Sequence, residues 1–439
     1  MKATFKRSLI SALVTAAVAA PATSFATNGM FMIGYGAKSV AMGGVAIAFP
    51  QDALAGAANP AAVAHVPNQW EIGTELFKVQ ARARLGDLEQ NSVASHSEKF
   101  SFFIIPHIGY AQQSKTNPKV SYGFSFVPAG GGGSRYQRNL FVNANNSADS
   151  NVSKPVGISL DVAQMTPTVA FKFNDTNTFG ATFVLSFQKF RAIGLSYFSN
   201  FTSAGVNTTG LTDNGNAWSY GAGLRLGWLG KFMDNQLTLG AVATSKIYMT
   251  KFDKYDNLFA EQGALDTPAN FGIGLAYKIK PELTAALDIT YTLYEDVNAI
   301  GNRGAGTTGP DLYPVSPQVN SLGMDEGLGF GWKNQTVFKL GLAYDLSNSM
   351  TLRTGWNYGK SPIPYGNGAL LFNILAPATT QHHFTLGGSY KTDATTEWSL
   401  VYMHAFGFTE TGPTYIGGLA GATIQMRQNS IGVTYGSKF

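Results

Sequence analysis

The feature that most constrains this chain is a repeated alternation of apolar and small or polar side chains, which begins at Trp70. Stretches of roughly ten residues carry it, and this length matches strands that cross a bilayer at a tilt. In one of them Phe338, Leu340 and Leu342 alternate with Lys339 and Gly341. The pattern predicts strands over 70–84, 99–112, 118–129, 160–173, 177–191, 215–229, 236–250, 268–279, 282–295, 331–345, 350–359, 381–391, 396–407 and 424–438.

The connections between these strands alternate in length and support the same count. Turn-like connections such as 114–117, 174–176 and 347–349 follow the even-numbered strands, and long ones such as 130–159 and 296–330 follow the odd-numbered strands. Short turns at one rim and long loops at the other are typical of barrels that cross the outer membrane of bacteria. We therefore expect an all-β fold, a fourteen-stranded antiparallel transmembrane β-barrel.

The composition agrees with transmembrane strands. It argues against membrane-spanning helices and against a protein that binds nucleic acid. Charged residues make up 13% of the chain and aromatic residues 13%, with 50 glycines and no cysteine. After residue 26 no apolar run reaches the 18 residues of a membrane-spanning helix. The formal charge of +5 falls to +2 without the three cations of residues 1–26, which argues against a nucleic-acid partner.

Two segments precede the strands. Residues 1–26 have a basic start, an apolar stretch and small residues before Ala26, so we expect a cleaved secretory signal; as a membrane anchor the stretch is too short. Residues 27–67 are rich in Gly and Ala and have no strand pattern. They suit either a flexible leader or a compact hatch inside the barrel, where close backbone approach favours Gly. We expect the hatch, with the barrel over 68–439 and both mature termini in the periplasm.

The residues indicate no enzyme. The six histidines have no zinc-ligand spacing, no catalytic constellation stands out, and we expect no metal and no cofactor. By alternation Arg225, Lys339 and Arg353 point into the lumen. They could bind a substrate carboxylate, or they could pair with other charges or with the hatch backbone. The connection 369–375 is apolar for a loop, so it either forms a binding groove or packs on the rim.

Several motifs together resemble the long-chain fatty acid transporter (FadL) family, which includes uptake channels for aromatic hydrocarbons. They are Met42-Gly43-Gly44, Asp52, Asn59-Pro60-Ala61, Gly331-Trp332-Lys333-Asn334, Leu352-Arg353-Thr354-Gly355, Ser361-Pro362-Ile363-Pro364 and His382-His383. The resemblance covers essentially the whole mature chain. It implies a monomeric fourteen-stranded barrel with an N-terminal hatch, which takes up fatty acids or hydrocarbons passively and releases them sideways into the membrane.

In the family the sideways exit lies at an inward kink of the third strand. The matching residues here are Pro128, Gly130, Gly131, Gly132 and Gly133. Pro removes a backbone donor and Gly weakens pairing, so the strand can leave its neighbour there, although a loop that starts early would look the same. We expect the motif Asn59-Pro60-Ala61 of the hatch to satisfy the freed backbone groups.

The aromatic residues of the last strand and the expected membrane location indicate the partners of the protein. Tyr435 and Phe439 resemble the signal that the barrel assembly machinery of the outer membrane reads. Partners are therefore that machinery, outer-membrane lipid and lipopolysaccharide, and a hydrophobic small molecule. Three alternatives stay open: a general porin, a structural or adhesive barrel, and an outer-membrane lipid hydrolase.

Overall fold

The structure is a computed structural model that describes residues 27–86, 88–92, 103–141, 154–203, 208–304, 320–364, 370–416 and 419–439. The predicted signal, residues 1–26, lies outside these ranges. The described residues form a barrel wall with fourteen strand positions: β1 (Gln69–Leu85), β2 (Leu88–Asn91 and Phe103–Gln113), β3 (Val120–Tyr136), β4 (Val156–Met165 and Thr168–Lys172), β5 (Asn177–Ile193), β6 (Ala217–Phe232), β7 (Leu237–Thr244 and Tyr248–Met249), β8 (Asn270–Lys280), β9 (Leu283–Thr292), β10 (Gln335–Asp345), β11 (Met350–Gly359), β12 (His382–Lys391), β13 (Thr396–Ile416) and β14 (Leu419–Lys438).

The sheet closes on itself because β1 pairs with β14 as well as with β2. The β1–β14 register runs from Gln69 opposite Lys438 to Leu85 opposite Ala422, and all neighbouring strands are antiparallel. A closed sheet has no edge strand with unpaired backbone groups, and a lipid environment requires that these groups be paired. The predicted fourteen-stranded antiparallel barrel is confirmed. None of the helices among the described residues is long and apolar enough to span a membrane.

Several strands are longer than the alternation predicts, and three of them illustrate the reason. β3 was expected to end at residue 129 and continues to Tyr136, and β13 continues to Ile416 instead of residue 407. β14 begins at Leu419, five residues before the expected start. Runs of glycine or polar residues, such as Gly130 to Gly133 in β3 and Thr409 to Gly412 in β13, interrupt the apolar alternation while backbone pairing with the neighbouring strand goes on.

The side chains of the wall divide as the alternation requires. On β10, Phe338, Leu340 and Leu342 are exposed on the outer face, whereas Val337 and Ala343 are buried. Aromatic rings form a belt near the rim with short turns, where the ring of Tyr435 lies 5.6 Å from Trp70 and 4.9 Å from Trp398. Apolar outer faces bounded by an aromatic girdle are what a bilayer selects.

Residues 27–67 lie inside the barrel and contain three short helices. These are α1 (Gly36–Ala41), α2 (Ala55–Ala58) and a 3₁₀ helix over Pro60–His65. Inward glycines of the wall allow their backbone to come close. A Cβ on Gly355 would lie 2.1 Å from the Gly43 amide nitrogen, and one on Gly180 would lie 2.4 Å from the Ala61 amide nitrogen. We call residues 27–67 the hatch.

The long connections pack together at the opposite rim, which we call the outer rim. They contain the short helices α3 (Ala260–Gly263), α4 (Asn298–Gly301) and α5 (Leu370–Asn373), and 3₁₀ helices at Ser196–Phe201, Asp253–Tyr255 and Tyr294–Asp296. Their apolar side chains share one buried cluster with inward residues of β3 to β6. A single apolar core therefore sits above the hatch.

Candidate functional site

Two apolar cavities lie inside the cluster at the outer rim. The first, which we call the loop cavity, is lined by connection residues that include Phe198, Leu322 and Phe372. The second, which we call the wall cavity, extends to Gly131 and Gly132 of β3. Both are lined by Ile158, Phe190, Phe259 and Phe330. The shared side chains place the two cavities next to each other.

The aromatic rings around the cavities are fixed by one another and by hydrogen bonds. The ring centroids of Phe190 and Phe259 lie 4.7 Å apart in an edge-to-face arrangement. The indole nitrogen of Trp332 donates to Oδ1 of Asn373 at 2.6 Å, and Asn373 donates in turn to the Phe330 carbonyl at 2.8 Å. Since these polar atoms bond to each other, the surface left for a ligand is apolar.

The apolar connection noted in the sequence contributes directly to these cavities. Leu370, Leu371, Phe372, Ile374 and Leu375 are all buried. Phe372 and Leu375 line the loop cavity. The segment therefore packs inward and forms part of a cavity lining. Sequence analysis missed the other aromatic contributors, because they come from β5 (Phe190) and from connections that are distant along the chain, such as those that carry Phe198, Phe259 and Phe330.

The barrel wall changes beside the wall cavity, between β2 and β3. Pairing there covers Ile108–Gln113 and Ser121–Phe126 and, among the described residues, does not continue beyond Phe126. On its other side β3 stays paired with β4, with a register shift between Pro128 and Gly130. We call this unpaired part of the β2–β3 boundary the wall window.

Hydrogen bonds between side chains and backbone groups close the upper end of the wall window. The Arg135 amide donates to Oγ of Ser92 at 2.8 Å. Gln90 donates to the Arg138 carbonyl at 2.8 Å and accepts from the Arg138 amide at 2.9 Å. The boundary between β2 and β3 is thus held by backbone pairing at its lower end and by side-chain contacts at its upper end.

The hatch pairs with β3 inside the wall window. The Met32 amide donates to the Ala129 carbonyl at 3.3 Å, and the Gly131 amide donates to the Met30 carbonyl at 2.8 Å. A Cβ on Gly130 would lie 2.2 Å from the Met30 oxygen, so glycine is required for this approach. Residues 30–32 therefore act as a short replacement strand for β2.

The expected neighbour of the window, Asn59-Pro60-Ala61, lies elsewhere, and that prediction was wrong. Nδ2 of Asn59 donates to the carbonyls of Ile47 at 2.8 Å and Trp228 at 3.0 Å, and its Oδ1 accepts from the Ala61 amide. The motif begins the 3₁₀ helix and fixes it against β5 and β6. Pro60 cannot donate a backbone hydrogen bond, so the motif is better suited to capping than to strand pairing.

Tyr294 joins the window segment of the hatch to the loops. Its hydroxyl donates to the Asn28 carbonyl at 2.7 Å and accepts from the Met30 amide at 3.1 Å. Its ring also meets Trp332 edge to face at 5.3 Å. Burial raises the pKa of Tyr294, so the hydroxyl keeps its proton and this donor persists. Because Trp332 lines the wall cavity, Tyr294 connects that cavity to residues 28–30 of the hatch.

Lys339 and Asp288, which face each other across β9 and β10, hold the hatch. Nζ of Lys339 donates to the Ile33 carbonyl at 2.8 Å. Oδ2 of Asp288 accepts from the backbone amides of Ala46 at 2.8 Å and Ile47 at 3.0 Å. Charged groups of the wall thus satisfy hatch backbone groups that are buried away from water.

Both lumen arginines also contact the hatch. Nη1 of Arg225 donates to the Ala57 carbonyl. Nε of Arg353 donates to Oε1 of Gln51 at 2.7 Å, and its Nη1 donates to Oγ of Ser389 at 2.7 Å. Substrate binding by Arg225, Lys339 and Arg353 stays a prediction. Arg225 and Lys339 also line a third cavity beneath the window segment, between the hatch and β6 to β10.

The two aromatic residues of the last strand lie on the outer face near the short turns. Tyr435 contacts Trp70 and Trp398 of the neighbouring strands. The Phe439 ring stacks on Tyr110 at 5.7 Å, and its amide donates to the Asn68 carbonyl at 3.1 Å. These contacts join β14 to β1 and β2 at the rim where the barrel closes.

Comparison with known proteins decides the family. The family model described as "Outer membrane protein transport protein (OMPP1/FadL/TodX)" matches residues 13–411. The chain belongs to this family. Its members are outer-membrane transport proteins, so the expected family and outer-membrane location are confirmed. No curated protein matches the chain.

Solved structures of this family share the barrel fold with the chain. The Pseudomonas putida toluene transporter TodX has a TM-score of 0.66 at 20% identity, with 93% of this chain and 99% of that chain covered. The Ralstonia pickettii toluene transporter TbuX has a TM-score of 0.63 at 14% identity, covering 93% and 99%. A Pseudomonas aeruginosa FadL homologue has a TM-score of 0.64 at 16% identity, covering 93% and 100%.

Proposed function

We propose that this protein is a monomeric outer-membrane channel for passive uptake of uncharged hydrophobic small molecules, which leave through the wall window. The observation that carries the proposal is the position of the two apolar cavities. They lead from the loops of the outer rim to Gly131 and Gly132 at the edge of the window.

The absence of charge at the described part of the cavity linings favours an uncharged hydrocarbon over a fatty acid. No Lys, Arg, His, Asp or Glu among the described residues lines the loop cavity or the wall cavity. A carboxylate moved into such a site would lose its hydration without gaining a counter-ion. The lumen cations bond to the hatch instead. The toluene transporters TodX and TbuX, which share the fold, agree with this preference.

Exit through the wall avoids a large solvation cost. Each methylene transferred from an apolar site to water costs about 0.8 kcal/mol, so release of a hydrocarbon into the periplasm is unfavourable. Release into the bilayer keeps the molecule in apolar surroundings. The wall window meets the two requirements for this route. It borders the wall cavity, and hatch residues 30–32 satisfy the backbone of β3 that β2 leaves unpaired.

Two measurements test the proposal. In cells without their own carrier, expression of the protein should raise uptake of toluene much more than uptake of a long-chain fatty acid. A disulfide between cysteines at His107 and Val127, the next pair above Ile108 and Phe126 in the register, should narrow the window and slow uptake. The matched control is a disulfide at Gln112 and Tyr122, where the strands are already paired.

The outcomes separate the alternatives. Toluene uptake that continues at the normal rate in the His107/Val127 disulfide variant would exclude the wall window as the exit. Faster uptake of the fatty acid would contradict the preference for uncharged molecules. A large steady ion conductance of the purified protein in planar bilayers would indicate a general porin. Release of fatty acid from phospholipid would indicate a hydrolase.

A further inference from the structure

The outer face of the barrel carries a group of cations beside the wall window. On β1 the outward side chains change from Ile72 and Leu76 to Lys78, Arg82 and Arg84, all three of which are exposed. On β14 they change from Val433 and Ile431 to the exposed Arg427. We call these four cations the outer basic strip.

The strand register places the members of the strip next to each other. Arg427 lies opposite Gln80 of β1, which stands between Lys78 and Arg82. Arg427 is therefore a diagonal neighbour of both cations, at a backbone separation of about 7–8 Å for such pairs. Side chains as long as Lys and Arg can converge on one anionic group across that distance.

The height of the strip matches the surface of the outer leaflet. Trp70 marks the aromatic belt at the rim with short turns, and Lys78 and Arg82 follow it by eight and twelve residues on the same strand. With a rise near 3.3 Å per residue and a tilt near 40°, they stand roughly 20 and 30 Å above that belt. The apolar band of such barrels is about 25 Å tall, so the strip spans its upper boundary.

Outward cations are unevenly distributed around the barrel: besides the strip, β5 carries Lys189 and Arg191. On the far wall, the outward positions of β9 to β12 between the rims carry residues such as Ile289, Leu340, Trp356 and Leu386, and none of the described ones is Lys, Arg, Asp or Glu. A general need for charge near the membrane surface would place cations all around. The β5 cation Lys189 is paired with Asp161, whereas Lys78 and Arg427 of the strip have no partner among the described residues, which points to an anionic partner at the strip.

The side chains of the strip retain donors for that partner. Arg82 pairs with the exposed Glu89, and Arg84 donates to Oγ1 of Thr423 at 3.3 Å. Within the described part of the chain, the amine of Lys78 and the guanidinium of Arg427 make no hydrogen bond or ion pair. Guanidinium groups bind phosphate oxygens in pairs, and Lys adds a further donor.

We infer that the outer basic strip binds the phosphate groups of lipopolysaccharide, the phosphorylated glycolipid of the outer leaflet. A lipid held there lies against β1 and β14, one strand away from the wall window at the β2–β3 boundary. The inference concerns a lipid partner and does not depend on the transported molecule.

Binding of lipid A to the purified full-length protein in detergent tests the inference. The probes are lipid A with both phosphates and the same lipid after removal of its phosphates. The strip variant combines Lys78→Gln, Arg84→Gln and Arg427→Gln. The control variant, Lys115→Gln with Lys278→Gln and Lys280→Gln, removes as many exposed cations near the opposite rim. Heat-resistant migration on gels shows that each barrel is folded.

We expect the affinity for phosphorylated lipid A to fall at least tenfold in the strip variant and to change less than twofold in the control. Equal loss in both variants, or equal binding of the phosphate-free lipid by the unmodified protein, would overturn the inference. Acylation of lysines in the unmodified protein gives a second measurement that needs no variant. Phosphorylated lipid A should protect Lys78 and leave Lys278 reactive, and an unprotected Lys78 would overturn the inference.

Discussion

Replacing Asp288 by alanine tests whether the wall holds the hatch in place. One carboxylate oxygen of Asp288 accepts hydrogen bonds from the amides of Ala46 and Ile47, and both residues are buried. In Asp288→Ala both amides lose their acceptor. A buried donor without a partner costs about 1–3 kcal/mol, so the two together should destabilise this part of the hatch by about 2–6 kcal/mol.

Hydrogen exchange of the Ala46 and Ile47 amides measures this effect directly. Since about 1.4 kcal/mol corresponds to a factor of ten, the lower bound predicts exchange roughly 30-fold faster than in the unmodified protein. Asp288→Asn is the matched control because its amide oxygen can occupy the same position and accept from both donors. Its exchange should therefore remain much closer to that of the unmodified protein.

The reasoning fails if Asp288→Ala leaves both exchange rates within about threefold of the unmodified protein, a change well below the lower bound. Heat-resistant migration of the variant confirms that the barrel itself is folded. Exchange at amides of the β1–β14 pairing, such as Leu76 opposite Ile431, gives an internal reference that should not change. A general acceleration there would indicate loss of the barrel and would contradict a local role for Asp288.

Three further predictions follow from the same structure. Deleting residues 27–67 should raise ion conductance severalfold while the barrel stays folded, and unchanged conductance would show that the hatch does not close the lumen. Gly132→Leu should reduce hydrocarbon uptake without unfolding, since a Cβ there meets nothing within 4 Å and the side chain would enter the wall cavity; normal uptake would contradict that path. Phe439→Ala removes the ring stacked on Tyr110 and should lower the yield of folded protein in the outer membrane, whereas a normal yield would exclude an assembly role.

The barrel could be predicted from the sequence because a lipid face and a lumen face impose a strict period of two on each strand. Residues such as Leu340 and Lys339 carry that signal in neighbouring positions. The irregularity of β3 was also visible in advance, since Pro128 lacks a donor and glycines follow it. Each of these predictions depends on residues that are close together in the sequence.

The contacts made by the hatch could not be predicted in the same way. Met30 and Met32 reach β3 through backbone atoms, so their side chains give no sign of that pairing. The aromatic rings of Phe190, Phe259 and Phe330 meet only because long connections fold over the outer rim. Such distant contacts leave no local pattern, whereas inward cations such as Arg353 could be placed in the lumen by alternation.

The interrupted pairing beside the hatch has a mechanical consequence for the whole protein. The boundary between β1 and β14, where the two ends of the barrel sequence meet, is paired from Gln69 opposite Lys438 to Leu85 opposite Ala422. Among the described residues, the boundary between β2 and β3 is paired only from Ile108 opposite Phe126 to Gln113 opposite Ser121. A force that pulls the barrel apart would therefore separate β2 from β3 first, and the β1–β14 boundary that closes the barrel would hold longer.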